Sequence, residues 1–218
     1  MHCRAGGDFF CFREMTPLPL YWRLFEAAFQ RACRIVPLDP DPACLLAVQP
    51  ARHHGSPVTL TDGHLIRPGD PILELHFRRE ALGPLLKQPD PARLALGLLQ
   101  LADRDIPRLA RALRDRPEFY PIQGLHALTL FHRGISRYGF EVREIESPLA
   151  ERWFTWWQQT LMARDHPLGR RRVDPHRTRL IARHVWCSPA ELIRRYGSPN
   201  DRASLREAPS AECSPDGR

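Results

Sequence analysis

Two closely spaced turn sequences constrain the fold of this chain more than any other feature. Asp62-Gly63 is the two-residue sequence typical of a β-hairpin, and Pro68-Gly69-Asp70 marks a second turn shortly after it. Alternating or extended apolar segments around them predict strands over Cys44–Pro50, Val58–Thr61, His64–Ile66 and Ile72–Arg78. These segments together predict an antiparallel β-meander.

Helical patterns dominate the rest of the chain. Apolar residues recur at helical spacing over Leu20–Arg34, Glu80–Lys87, Ala92–Arg114, His126–Tyr138, Ser147–Arg164 and Pro189–Tyr196. Further short strands are predicted at Ile122–Gly124, Phe140–Ile145 and His184–Cys187. This order of elements predicts an α+β fold, with a single mixed domain in which a small antiparallel β-meander packs against several helices.

The composition indicates one globular domain with an extension at either end. The 218 residues are 43% hydrophobic and 26% charged, which is typical of globular proteins. Residues 1–19 show no clear periodicity and are predicted to be a flexible N-terminal extension. Residues 20–197 are predicted to form the domain, and the polar residues 198–218 are predicted to be disordered.

Several classes of protein are excluded by what the sequence lacks. No apolar run approaches the ~20 residues that span a bilayer, and the charged N-terminal segment is not a secretory signal. The six cysteines show neither a C-x-x-C pair nor zinc-ligand spacing. We therefore expect a cytoplasmic protein with reduced thiols and with neither a metal nor another cofactor. The usual nucleophile, phosphate-loop, dinucleotide and zinc-protease motifs are also missing.

The positive charge is concentrated in one segment. The net charge is +7, and the segment from Arg164 to Arg183 contains seven arginines against Asp165 and Asp174. Such a segment has the electrostatics of a phosphate-binding patch. However, abundant Arg together with abundant Pro and Ala is typical of a coding bias, and no base-reading motif accompanies it. Nucleic-acid binding is therefore the least favoured hypothesis.

The longest predicted strand carries the first candidate site. Glu74 and His76 are two residues apart, so they project from the same face, where the carboxylate can orient the imidazole and favour its charged form. An imidazole oriented by a carboxylate is the least that a general base requires, and we predict both residues to be catalytic. The alternative is a solvated strand face that carries ordinary polar residues.

A second candidate site lies on the helix predicted over His126–Tyr138. There His126, Thr129 and Arg133 share one face, and His132 flanks it. The two histidines point roughly 120° apart, which is unsuitable for a metal. The group suits the wall of a pocket for an anionic or polyhydroxyl ligand, and a histidine satisfied at an interface is the alternative. If both candidate groups face one cleft, three ionisable side chains converge there.

Three tryptophans lie close together on the helix predicted over Ser147–Arg164. Trp153, Trp156 and Trp157 could form a platform on which sugar rings stack. Their helical spacing favours the other interpretation, in which they pack the helix against the core.

Three segments resemble the YkoP-like domain of Gram-positive bacteria. They are VTLTDGHLIRPGDPILELHFRREAL at Val58–Leu82, GLHALTLFHRGISRYGFE at Gly124–Glu141 and VWCSPAELIRRYG at Val185–Gly197. The residues that match the family pattern are Asp62, Gly63, Gly69, Asp70, Glu74, His76, His132 and Arg133. The resemblance covers Leu20 to Gly197, and residues 198–218 depart from it.

The resemblance implies a functionally uncharacterised domain that occurs alone or attached to polysaccharide deacetylase domains. It thereby suggests bacterial envelope polysaccharide metabolism as the setting. No deacetylase domain is recognisable here, so zinc-dependent activity is not carried over. We predict a ligand-binding or catalytic accessory whose glycan-type ligand contacts Asp70, His126, His132 and Arg133 beside Glu74 and His76. The alternatives are a non-catalytic domain that assists an envelope polysaccharide enzyme and an arginine-driven nucleic-acid binder.

Overall fold

A computed structural model describes residues 34–88, 90–165 and 180–197. The strands in these ranges are β1 Val36–Pro37, β2 Leu46–Arg52, β3 Val58–Thr59, β4 Leu65–Ile66, β5 Pro71–Phe77, β6 Gly124–Thr129, β7 Glu141–Arg143 and β8 Arg183–Cys187. The helices are α1 Arg79–Leu86, α2 Pro91–Asp115, α3 Pro148–Asp165 and α4 Pro189–Tyr196, with 3₁₀-helices at Pro117–Phe119 and Ile135–Tyr138. The predicted α+β class is confirmed.

Some of the sequence predictions lie outside the described residues. They are the two termini, nearly all of the helix predicted over Leu20–Arg34 and most of the basic segment from Arg164 to Arg183. The elements given above belong to the compact unit that spans Ile35–Arg218.

Six of the strands form one mixed sheet in the order β1-β2-β5-β6-β8-β7. All neighbours in it are antiparallel except β5 and β6, which run parallel. The turn sequence Asp62-Gly63 does form a hairpin, between β3 and β4, but this hairpin is a separate two-stranded sheet. β2 therefore pairs directly with β5, and the sheet is larger than the small meander expected from the sequence.

Alternation along the strands gives the sheet an apolar face and a polar face. Leu73, Leu125 and Val185 lie on the apolar face, and they share one core cluster with Leu109 of α2 and Leu192 of α4. The starts of the helices follow their capping sequences. For example, the Ser188 hydroxyl accepts a hydrogen bond from the Glu191 amide at 3.0 Å, as the capping box at the start of α4 predicts.

The β3–β4 hairpin covers one end of the polar face. Leu60 and Ile66 of the hairpin form a buried cluster with Ile72 of β5 and Trp186 of β8. Ile66 approaches the backbone of β6 so closely that a Cβ atom on Gly124 would lie 2.5 Å from its Cδ1 atom. The absence of a side chain at Gly124 therefore permits the hairpin to pack on β6. The polar side chains of the sheet lie on the part of this face that the hairpin does not cover.

Replacing Gly124 with Ala should lower the free energy of unfolding by about 1–2 kcal/mol, because the new methyl group overpacks a buried isoleucine. Gly83→Ala is the control: a Cβ atom at this α1 position meets nothing within 4 Å, so we expect stabilisation by about 0.5–1 kcal/mol. Urea unfolding followed by circular dichroism measures both changes. Equal effects of the two substitutions would contradict the packing of the hairpin on β6.

Further sequence predictions are wrong in the described part of the chain, since the strand predicted over Ile122–Gly124 begins only at Gly124. The predicted helix over His126–Tyr138 is strand β6 followed by a turn and a short 3₁₀-helix, and Gly134 in the turn has a left-handed φ of 79°. Trp153 and Trp156 do not pack in the core, since they are 58% and 45% exposed. The face of α3 that packs on the body of the protein carries other residues.

Candidate functional site

A row of side chains crosses the polar face of the sheet. Strand register aligns Gln49 of β2 with Glu74 of β5, Glu74 with His126 of β6, His126 with Trp186 of β8, and Trp186 with Glu141 of β7. Residues that are directly paired project from the same face. We call these five residues the polar row. It brings Glu74 and His126 together, although the sequence pattern predicts a strand for Glu74 and a helix for His126.

Three residues in and beside the polar row form a hydrogen-bonded and electrostatic chain. Nε2 of His126 lies 2.8 Å from Nδ1 of His184, which projects from the same face of β8 as Trp186. Nδ1 of His126 lies 3.6 Å from Oε1 of Glu74, which is ion-pair range and slightly longer than a hydrogen bond. We call Glu74, His126 and His184 the relay. Among the described residues, Nε2 of His184 has no hydrogen-bond partner.

Aromatic contacts hold the central histidine of the relay. The His126 ring stacks on the Trp186 indole, with 4.2 Å between centroids and 29° between planes. His53 meets the same indole edge-on at 5.3 Å, and its Nε2 lies 2.7 Å from the carbonyl oxygen of Ser56. Trp186 is only 5% exposed, so it is a fixed wall for the relay rather than a surface for a ligand.

His76 lies on the same face as the relay but has a different partner. Its Nε2 is 3.0 Å from Oε1 of Gln49, and it is close enough to Glu74 and His126 for their charges to affect its pKa. The predicted neighbours Glu74 and His76 therefore do share a face, and His126 joins them there. The partner of the Glu74 carboxylate in the relay is His126.

The other predicted ligand-binding residues lie elsewhere. Asp70 closes the turn before β5, where its Oδ2 accepts a hydrogen bond from the Arg67 amide at 2.6 Å. His132 and Arg133 follow the end of β6, and His132 is half-buried close to Arg183. Thr129 is buried and projects from the opposite face of β6 to His126, because their positions differ by an odd number. The structure does not bring these residues to the relay.

Burial determines the charge of the relay. Burial, together with a smaller effect of the neighbouring His126, lowers the pKa of His184 from its ordinary value of 6.5 to about 4. Burial also lowers the pKa of His76, and interaction with the His126 imidazole lowers the pKa of the Glu74 carboxyl. At neutral pH the site therefore holds an ionised Glu74 beside neutral imidazoles at His76 and His184.

The described residues do not form a metal site, and the described arginine side chain of the basic segment is paired with carboxylates. In residues 34–88, 90–165 and 180–197, no three His, Cys, Asp or Glu side chains are grouped so that they could hold a metal ion. Of the basic segment predicted as a phosphate-binding patch, Arg183 is described, and its guanidinium contacts Glu151 at 2.5 Å and Glu144 at 3.3 Å. Its charge is therefore already neutralised by carboxylates.

A cavity of about 200 Å³ lies between the hairpin and α4. The acidic side chains that line it are engaged with neighbours. Asp62 accepts a hydrogen bond from the Ser188 hydroxyl at 2.5 Å, and Glu141 accepts one from the Thr61 hydroxyl at 2.6 Å. Glu191 pairs with two arginines of α4, the nearer at 2.5 Å. These contacts fasten the hairpin to the sheet and to α4, so Asp62 does more than form the predicted turn.

Sequence patterns alone did not indicate four residues of the site, namely Gln49, His53, His184 and Trp186. The signal for two of them was present, because the predicted strand His184–Cys187 alternates His184 and Trp186 with the buried Val185 and Cys187. The missing information was the pairing of β8 with β6, which joins residues 58 positions apart in the sequence.

The fold and the polar row define a small α+β domain with a partly buried histidine relay. By comparison with known families, the chain belongs to the YkoP domain family, whose model matches residues 18–196. A curated relative from Bacillus subtilis (strain 168), "Uncharacterized protein YkoP", is 25% identical over 122 residues, which cover 56% of this chain and 67% of the relative. No solved structure matches the chain significantly. None of the described helices is long and apolar enough to cross a membrane.

Proposed function

We propose that the relay is a general base and that this protein is an enzyme that activates a hydroxyl group. The observation that supports this most directly is the 2.8 Å contact between His126 and His184, with the Glu74 carboxylate at the far side of His126. A carboxylate behind an imidazole fixes its tautomer and stabilises the imidazolium that forms when a proton is taken up.

The tautomers follow from the two contacts. An ionised Glu74 attracts the Nδ1–H group of His126, which leaves the lone pair of Nε2 to accept the Nδ1–H group of His184. The lone pair of His184 Nε2 then has no hydrogen-bond partner among the described residues. When that nitrogen takes a proton from a hydroxyl group, the Nδ1 proton of His184 passes to Nε2 of His126. The positive charge comes to rest on His126, next to the negative charge of Glu74.

The relay also explains how a histidine with a low pKa can serve as a base. A pKa of about 4 keeps His184 neutral at pH 7, so its lone pair is available, but an isolated imidazole of this kind is a weak base. Transfer of the Nδ1 proton to His126 moves the positive charge from the partly buried His184 to a ring beside the Glu74 carboxylate. The negative charge of Glu74 therefore stabilises the relay most strongly after proton uptake. An interaction that is stronger after proton transfer than before it contributes to catalysis and not only to substrate binding.

The substrate class that we propose is a neutral polyhydroxyl compound of the glycan type, in bacterial envelope polysaccharide metabolism. The groups beside the relay are the Gln49 amide and the His76 imidazole, which donate to and accept from hydroxyl groups. Arg143, at the end of the polar row, is paired with Glu141 at 3.1 Å, so its charge is not directed at a ligand. In this proposal the general base is His184. His76, which the sequence pattern indicates as the base, binds the substrate instead.

Nuclear magnetic resonance of the full chain labelled with ¹⁵N-histidine tests the relay. At pH 7.5 we expect His184 as a neutral Nδ1–H tautomer and a proton on Nδ1 of His126, assigned with His126→Gln and His184→Gln. Glu74→Gln should shift the His126 tautomer equilibrium and change the titration of His184, because the carboxylate that orients the pair is removed. Glu118→Gln removes an exposed carboxylate on the 3₁₀-helix at Pro117–Phe119 and should change neither.

Titration with neutral oligosaccharides and with sugar phosphates then tests the substrate class. We expect neutral oligosaccharides to shift the His76 and His184 resonances more than sugar phosphates do. If the tautomers of His126 and His184 were the same in Glu74→Gln as in the wild type, the proposed general base would be refuted. Stronger shifts with sugar phosphates would leave the relay standing and refute the neutral substrate.

A further inference from the structure

Helix α3 has apolar side chains on two opposite faces. The face that packs on the body of the protein is anchored to the sheet, since the Gln158 amide donates to the carbonyl oxygen of Leu128 at 3.0 Å. On the same side, the Thr155 hydroxyl accepts a hydrogen bond from the amide of Ala182, just before β8, at 2.9 Å. Phe154 and Met162 pack in the core cluster below the helix. The position of α3 is therefore fixed by residues other than its two exposed tryptophans.

The opposite face carries Leu149, Trp153 and Trp156, which we call the aromatic stripe. Their spacing of four and three residues places them in one line along the helix. They are 77%, 58% and 45% exposed, and the two indole rings lie 5.3 Å apart with 37° between their planes. Neither tryptophan belongs to a core cluster of the described residues, so the stripe is a candidate binding surface.

The size of the aromatic stripe argues against a second copy of the chain as its occupant. From the exposed fractions, the three side chains present roughly 400 Å² of mostly apolar surface. A symmetric contact through the stripe alone would bury roughly 800 Å² in total, whereas stable interfaces bury about 1,200–2,000 Å². A patch of this size with two indoles fits a smaller or narrower ligand.

The charges near the start of α3 argue against an anionic occupant. Among the described side chains near the stripe, Glu144 is 83% exposed and Glu146 is also exposed, and the exposed cation of α3 is Arg152. Anionic lipid surfaces and nucleic acids are bound by clusters of Lys and Arg. The described residues around the stripe do not supply such a cluster.

We propose that the aromatic stripe binds a neutral polysaccharide chain, apart from the relay. The C–H groups on one side of a sugar ring carry partial positive charge, and the face of an indole is negative, so the two stack favourably without any net charge. Two tilted indoles in line along a helix offer this contact to successive rings of an extended chain. The inference rests on the proposed function for its ligand class, but binding at the stripe requires no catalysis.

Affinity electrophoresis of the full chain in native gels tests this surface, with hydroxyethyl cellulose, glycol chitin or laminarin added to the gel. The double variant Trp153→Ala/Trp156→Ala should lose retardation, with affinity reduced by about tenfold or more, since aromatic residues dominate such contacts. Tyr120→Ala is the matched control, because Tyr120 is an exposed aromatic residue (62%) on the 3₁₀ turn after α2. It should keep the wild-type mobility shift.

A relay variant separates this inference from the proposed function. His184→Gln should keep the retardation even if it abolishes catalysis, because it leaves α3 unchanged. Absence of retardation by all three polysaccharides would overturn the proposal, as would equal loss in Tyr120→Ala. Sedimentation that shows a dimer in the wild type and a monomer in the double variant would also overturn it, and would assign the stripe to self-association.

Discussion

Replacing Asp105 with Ala should destabilise the fold by about 3 kcal/mol or more, measured by urea unfolding. Asp105 of α2 is fully buried, with no exposed surface. Its Oδ2 accepts a hydrogen bond from the Leu45 amide at 2.7 Å, and Arg104 contacts both carboxylate oxygens at 2.8 and 2.9 Å. Arg108 lies 3.5 Å from Oδ1. Alanine would leave a buried amide and two arginines without their shared acceptor.

A second aspartate on the same helix provides the control. Asp115 also pairs with the preceding arginine, Arg114, at 2.6 Å, but its side chain is 56% exposed. Asp115→Ala should therefore change the free energy of unfolding by less than about 1 kcal/mol. Asp105→Asn keeps an acceptor for the Leu45 amide and should fall between the two. An Asp105→Ala variant as stable as Asp115→Ala would show that the buried carboxylate does not tie α2 to the segment before β2.

The parts of the fold that were predictable are those with local physical signals. The capping box at Ser188, the Asp62-Gly63 hairpin and the alternation over Ile72–Arg78 each depend on neighbours within a few residues, and each has the expected structure. The helix predicted over His126–Tyr138 is wrong because, over such a short run, the apolar residues fit helical and strand spacing equally well. Pairing with β5 and β8, which no local pattern contains, makes its first part a strand.

The candidate site was predictable only in part, for the same reason. Alternation along β5 does place Glu74 and His76 on one face, but it cannot show which residue approaches Glu74 across the sheet. The partner is His126, held at 3.6 Å by the parallel pairing of β5 with β6. His184 enters the relay through the antiparallel pairing of β8 with β6. The catalytic pair that sequence spacing suggested is thus replaced by a chain of residues from three strands.

The relay should also make the protein sensitive to acid. The pKa of His184 is lowered from 6.5 to about 4 in the folded protein, so between these pH values the unfolded chain binds a proton that the folded chain does not. Stability is therefore complete above pH 6.5 and falls as the pH drops towards 4. The full difference corresponds to about 3 kcal/mol, and partial solvent exposure reduces the expected loss to about 2 kcal/mol.

Two neighbours act in the same direction. Burial lowers the pKa of His76, which adds to the loss below pH 6.5. The pKa of Glu74 is lowered from 4.5, so its contribution is lost below that pH, when the unfolded chain takes the proton first. The loss of stability should thus begin below pH 6.5, where the histidines of the unfolded chain take up protons. It should become steeper below pH 4.5, where the unfolded chain also protonates Glu74.

Urea unfolding at pH 7.5, 6, 5 and 4 for the wild type and His184→Gln separates these contributions. Glutamine keeps an N–H donor for Nε2 of His126 but takes up no proton, so the variant should lose less stability between pH 6.5 and 4 than the wild type. His54→Gln, in the exposed loop after β2, should follow the wild-type curve. If His184→Gln followed it too, His184 would be protonated as readily in the folded chain as in the unfolded one. A histidine of that kind is open to water and is not held neutral behind His126, so the general base would lose its main electrostatic support.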